Sequence, residues 1–118
     1  MEKPQVNNYV ENMKVVLLMY DGSLNYLGKA KEFMAEGDIR SRNIYTNKTR
    51  DIVKELKANI DHKAGGEVAE SLDTFYKAVD MLLEVSTQRD DGYGITEAYN
   101  MLSGVKESWE YVAKSAAA

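Results

Sequence analysis

Residues 15–22 read Val-Val-Leu-Leu-Met-Tyr-Asp-Gly, VVLLMYDG: six consecutive apolar or aromatic side chains, stopped by an acid and a glycine. In a helix, successive side chains step by about 100°, so a run of six leaves no polar face. Working outward, Met13, Val16, Tyr20, Leu24 and Leu27 advance by three or four and predict one helical stripe, continuing towards Ala30 or Lys31 and Met34. Val15, Leu18, Met19, Tyr26 and Phe33 broaden that stripe onto its flanks. Part of the run packs into a core, and the other part needs a second cover. A bound partner helix, an N-terminal extension and self-association are three open solutions.

Gly37 predicts the stop of this helix and Asp38 the cap of the next. A second stripe follows at Ile44 or Tyr45, Thr49, Ile52, Val53, Leu56 and Ile60, with KTRDIVKELK supplying helix formers. His62 and Lys63 are expected at its C-terminus, just before Gly65 and Gly66. The third stripe is Val68, Ala69, Leu72, Phe75 or Tyr76, Val79, Leu82 and Leu83, ending near STQRDDGYG. The fourth is Ile95, Ala98 or Tyr99, Leu102, Val105, Trp109 and Val112. Strand alternation and internal repeats are not evident, and the one proline, Pro4, interrupts none of these segments. Short connectors make this an all-α, antiparallel up-and-down four-helix bundle, with room for a short extra N-terminal helix. The glycines at 22, 28 and 104 fall inside helices, where they either permit close packing or mark bends.

A chain of 118 residues, 44% hydrophobic and 29% charged, suits one ordered domain over residues 1–118. Fifteen basic against nineteen acidic residues give a net charge of -4, which argues against nucleic acid or an anionic membrane as partner. The absence of cysteine excludes disulfides and thiol-based metal or redox sites. The apolar run of six is far below the roughly 20 residues that span a bilayer. MEKPQVNNYVENMK has no apolar signal core, so a cytoplasmic protein without membrane insertion is expected.

Catalytic or cofactor chemistry does not assemble. His62 is the only histidine and provides neither a metal set nor a triad. Gly65-Gly66 and the GYG at 92–94 lack a phosphate-loop or dinucleotide signature and are read as turns. Asp90 and Asp91 lack the register of a calcium loop and are read as capping acids. Glu67 with Glu70, Glu32 with Glu36, and Asp51 with Glu55 have helical spacing but no ExxH companion, so solvated faces are expected. Neither a metal nor a cofactor is predicted. Eight tyrosines, the tryptophan and Met19, Met34, Met81 and Met101 suit either a bundle core or an apolar partner, with core packing favoured for Tyr76 and Trp109.

The combination of LLMYDG at 17–22, DIVKEL at 51–56, DHKAGGEVA at 61–69 and ESW at 107–109 resembles the flagellar secretion chaperone family FliS, over about residues 10–112. The resemblance implies a non-enzymatic, cytoplasmic helical chaperone without a cofactor. Such a chaperone holds the C-terminal segment of flagellin before type III export and prevents its premature polymerisation. A disordered client of this kind covers a large apolar surface and folds partly as it binds. Matched onto this chain, the client-binding or groove-supporting residues are Leu17, Met19, Tyr20, Asp21, Gly22, Ile52, Leu56, Leu72 and Tyr76. The apolar members would contribute burial, Tyr20 a hydrogen bond at the groove edge, and Gly22 close approach or a bend.

Two departures stand out. Glu11-Asn12-Met13 replaces the family's Ser-Pro-Glu opening, which leaves the start of the first helix open. Residues 85–91, VSTQRDD, replace its Ala-Asn and short acidic linker. An alternative of a different class is a non-enzymatic adaptor or regulator that binds another component of the flagellar export apparatus. A client-free homodimer is a further expected partner state.

Overall fold

The computed structural model describes the backbone of residues 5–117 and the side chains of residues 12–115. Four helices, α1 (Gln5–Ala35), α2 (Ile39–Ala58), α3 (His62–Arg89) and α4 (Tyr93–Ala117), form the antiparallel bundle that the four stripes predict. Each helix packs on the next and α4 closes back on α1, giving a body of 54 × 24 × 22 Å. The extra N-terminal helix is not observed as a separate element: from Gln5 onward the chain is continuous with α1, and residues 1–4 lie outside the described residues.

The first turn is built as expected. Gly37 adopts φ +76, the Asp38 N–H donates to the Phe33 carbonyl at 2.9 Å, and the Gly37 N–H donates to Met34 at 3.2 Å. This is a Schellman closure, for which glycine has no steric penalty. Asp38 then caps α2 by accepting the Ser41 N–H at 3.0 Å, and that bond holds its carboxyl below the usual carboxylate range. A carboxyl depressed by folding adds stability above its unfolded pKa of about 3.9 and loses it as pH falls through the lower folded value. Acidifying the protein from pH 5 to pH 3 should therefore lower its urea midpoint. Asp38→Asn, which keeps the cap but cannot titrate, should show a smaller drop, and an identical drop would contradict the assignment.

The second turn corrects the sequence reading. His62 and Lys63 stand at the N-terminus of α3, not the C-terminus of α2. The reason is capping: α2 stops at Ala58 with Asn59 as its cap, and Asp61 accepts the Ala64 N–H at 3.0 Å to start α3. Gly65-Gly66 is consequently not a connector. Gly66, with φ +53 and ψ -125, bends α3 just after its first turn, in a conformation open to glycine. GYG is likewise only partly a turn, since Tyr93 and Gly94 already belong to α4. Asp90 and Asp91 are capping acids as read: Asp90 ends α3 in the left-handed region, and Asp91 accepts the Tyr93 N–H at 2.9 Å.

The core contains Tyr20, Leu27 and Ala30 of α1, Val53 and Leu56 of α2, Tyr76, Val79 and Leu83 of α3, and Ile95, Ala98 and Leu102 of α4. Fully burying side chains such as Leu27, Leu83 and Leu102 contributes roughly 1.5–3 kcal/mol each. Other positions in the predicted stripes do not reach this core: Ile44 is exposed and its neighbour Tyr45 packs inward, while Val68 points into solvent. Beside the expected Thr49, α2 buries Arg42 and Thr46, which lie outside its predicted stripe. The threonine hydroxyls donate to the carbonyls of Arg42 and Tyr45 one turn back, at 2.8 and 3.0 Å. The Arg42 guanidinium donates to Asp90 at 2.7 Å, to the Ser86 carbonyl at 3.3 Å and to Asn43, tying α2 to the α3–α4 turn.

Candidate functional site

The four seams between neighbouring helices close differently. Between α2 and α3, Arg50 meets Asp80 at 2.8 Å and Glu84 at 3.8 Å, and Lys57 meets Asp73 at 3.5 Å. Between α1 and α4, Lys106 meets Asp21 at 2.7 Å and Lys31 lies over the Tyr99 ring. That hydrogen bond to Asp21 raises the Lys106 pKa and keeps its charge in place. Between α1 and α2, Tyr45 stacks on Phe33 and tilts against Tyr26, with Lys48 over both tyrosines.

The α3–α4 seam has no such closure along its length among the described residues. At its upper end α4 comes close because residue 94 is glycine: a Cβ there would run into the Ser86 hydroxyl and the Leu82 carbonyl oxygen. Further down the seam opens into a cleft of about 400 Å³ lined by Glu67, Val68, Ser71, Leu72, Phe75 and Val105. Val68 is 66% exposed at its edge. Four of the six lining side chains are apolar and none is basic, so the cleft suits an apolar segment of another chain.

The residues singled out from sequence divide between core and surface. Tyr20 and Tyr76 are buried at the bundle centre, their hydroxyls 2.7 Å apart. This corrects the expected role of Tyr20, whose hydrogen bond lies inside the core and not at a groove edge. Burial pushes both phenols up, so they remain protonated. Leu56 is also buried, whereas Leu17, Met19 and Ile52 are half-buried, and a Cβ added at Gly22 would lie 3.4 Å from the Ile52 Cδ1, so neither close approach nor a bend requires glycine there. Asp21 is an exposed partner of Lys106. Of the nine, Leu72 alone lines the cleft.

Val68, Val105 and the alternative Phe75 or Tyr76 stand on the predicted stripes; Tyr76 takes the core position, Phe75 and Val105 pack on the core and also line the cleft, and only Val68 stays largely exposed. VVLLMYDG resolves in the same manner: Tyr20 enters the core, Val16, Leu17 and Met19 are half-buried, and Val15 and Leu18 remain 55% and 69% exposed. The carboxylate pairs Glu67–Glu70, Glu32–Glu36 and Asp51–Glu55 all lie on exposed faces. Among the described residues, no helix is long and apolar enough to cross a membrane.

Similar proteins agree with the architecture. The chain is 28% identical over 104 residues to the flagellar secretion chaperone FliS of Salmonella typhimurium, covering 87% of this chain and 77% of that protein. It is 30% identical over 99 residues to the flagellar secretion chaperone FliS of Campylobacter jejuni, covering 84% and 77%. The flagellar secretion chaperone FliSB of Pseudomonas aeruginosa is 29% identical over 98 residues, covering 82% and 77%. The family model described as flagellar protein FliS matches residues 3–116, nearly the whole bundle, and the chain therefore belongs to the FliS family.

Proposed function

We propose that this protein is a cytoplasmic flagellar export chaperone that holds the C-terminal segment of flagellin in the α3–α4 cleft. The observation that carries this reading is the apolar lining: Val68, Leu72, Phe75 and Val105 surround the α3–α4 cleft, whereas the opening of about 380 Å³ between α1 and α4 is lined mainly by polar and charged residues, among them Asp21, Asn25, Lys29, Glu32 and Lys106. A flagellin segment that is unfolded before assembly can lay apolar side chains into this cleft as it becomes helical. The same side chains are then withheld from other flagellin molecules, which prevents premature polymerisation. The ordering cost of the segment limits net affinity, so the complex can still release its client to the type III export apparatus. The chemistry is burial of apolar surface, and no covalent step is needed.

The uncovered Val15 and Leu18 on α1 support a second contact, either with another export component or with a second copy when no client is bound. Calorimetric titration with flagellin, and with flagellin lacking its C-terminal segment, tests the main reading. Binding that requires the segment and gives a soluble complex is expected. A folded chain that binds neither form overturns flagellin as client and favours the adaptor role.

A further inference from the structure

Tyr20 and Tyr76 meet across the diagonal of the bundle, from α1 to α3, which are not adjacent in the ring of helices. Their rings are 6.4 Å apart at 57°, and both residues are buried. Two phenols are an unusual choice for the centre of a bundle. Each hydroxyl is stripped of water, and one shared bond employs only one of the two O–H protons. The Trp109 indole of α4 lies beside Tyr20, yet its N–H makes no hydrogen bond of good geometry. Apolar side chains could fill the same space without this demand for partners, so the pair adds something other than burial.

What it adds is a fixed rotation of α3. A hydroxyl at the end of a long, rigid side chain is a lever on the helix that bears it, and a hydrogen bond, unlike an apolar contact, has a narrow preferred distance and direction. The preceding residue, Phe75, sets its ring against that of Tyr76 at 5.6 Å, and Leu72 lies one turn back. Both are walls of the cleft. Turning α3 by about 15° moves a group at its side-chain radius of about 5–6 Å by about 1.5 Å, enough to narrow or widen the cleft by a methyl group.

We infer that the Tyr20–Tyr76 hydroxyl pair is a positioning device: it sets the cleft through Phe75 and Leu72, and neither tyrosine touches the client. The effect on client binding rests on the assignment of the cleft as the flagellin site. The positioning itself does not.

The decisive protein is the double variant Y20F/Y76F, which removes both hydroxyls and leaves none unpaired; Y76F alone orphans the Tyr20 hydroxyl. Urea unfolding, the methyl NMR signals of Leu72 and Val105 in the free protein, and flagellin affinity are measured for both. The double variant should unfold near the wild-type midpoint, yet show displaced Leu72 and Val105 methyl signals and about tenfold weaker flagellin binding through lost preorganisation. If Y76F weakens binding and the double variant restores it together with stability, the pair only stabilises the fold and the inference is overturned. Unchanged methyl signals and affinity in a folded double variant overturn it equally. If wild-type protein does not bind flagellin, the client assignment falls while the methyl signals still decide the positioning role.

Discussion

Replacing Val68 with glutamate should leave the bundle folded and weaken flagellin binding by about a hundredfold, because burying a carboxylate in an apolar contact without a partner costs several kcal/mol. Val68 is 66% exposed in the free protein, so its loss removes little core. Glutamate is also the better helix former, and stability should stay within about 0.5 kcal/mol of wild type. Glu67 and Glu70 lie beside it, and their like charges add to the penalty once water is excluded. The control is Leu18→Glu on the uncovered face of α1, which should leave flagellin affinity within about threefold, as expected for a residue outside the contact. Calorimetry with a thermal melt of each variant provides the check. Unchanged binding by Val68→Glu would remove the cleft from consideration, and a loss confined to Leu18→Glu would transfer the client to α1.

The largest expected effect on stability is at Gly94. Glycine to alanine inside a helix ordinarily gains up to about 1 kcal/mol. Here the sign reverses, because the added methyl meets the Ser86 hydroxyl and, more decisively, the Leu82 carbonyl oxygen. A hydroxyl can rotate away, whereas a backbone carbonyl held in a helix cannot, so α3 and α4 must separate. Overpacking of this kind costs typically 1–3 kcal/mol, and Gly94→Ala should fall at the upper end, near 3 kcal/mol. A loss of this size lowers the melting temperature by about 10 °C in a domain of this length. Gly104→Ala should do the opposite and gain up to about 1 kcal/mol, since no atom lies within 4 Å of its added Cβ and the site is exposed. Equal melting temperatures for the two variants would mean that α4 is not seated on α3 as described.

Much of the bundle was legible because its signals are local. Tyr20, Leu27, Val53, Leu56, Leu83, Ile95 and Leu102 recur at helical spacing and are all buried. Gly37 and Asp38 punctuate the chain through backbone geometry and one hydrogen bond, both encoded within four residues. The misplacement of His62 has an equally local cause. Asn59 and Asp61 are both competent caps, and the glycine pair that follows is a stronger stop signal than either, although it only bends the helix. Arg42 was not legible as a core residue, because its partner Asp90 is 48 residues away in sequence. Thr46 was passed over because its hydroxyl, satisfied by the Arg42 carbonyl, lets a polar residue act as an apolar one.

The sequence by itself determined four helices, their approximate limits, a shared apolar core and, through LLMYDG, DIVKEL, DHKAGGEVA and ESW, the family. Hydrophobic spacing records which way a side chain points relative to its own helix. It does not record whether a neighbouring helix fills the space in front of it. Only the tertiary structure decided that Val68, Phe75 and Val105, all on the predicted stripes, line a cleft. Likewise, only packing could bring Tyr20 to Tyr76 and seat Gly94 on Leu82, since each pairing joins two helices. A cleft is a property of the distance between helices, and that distance is set by the bulk of side chains far apart in the chain.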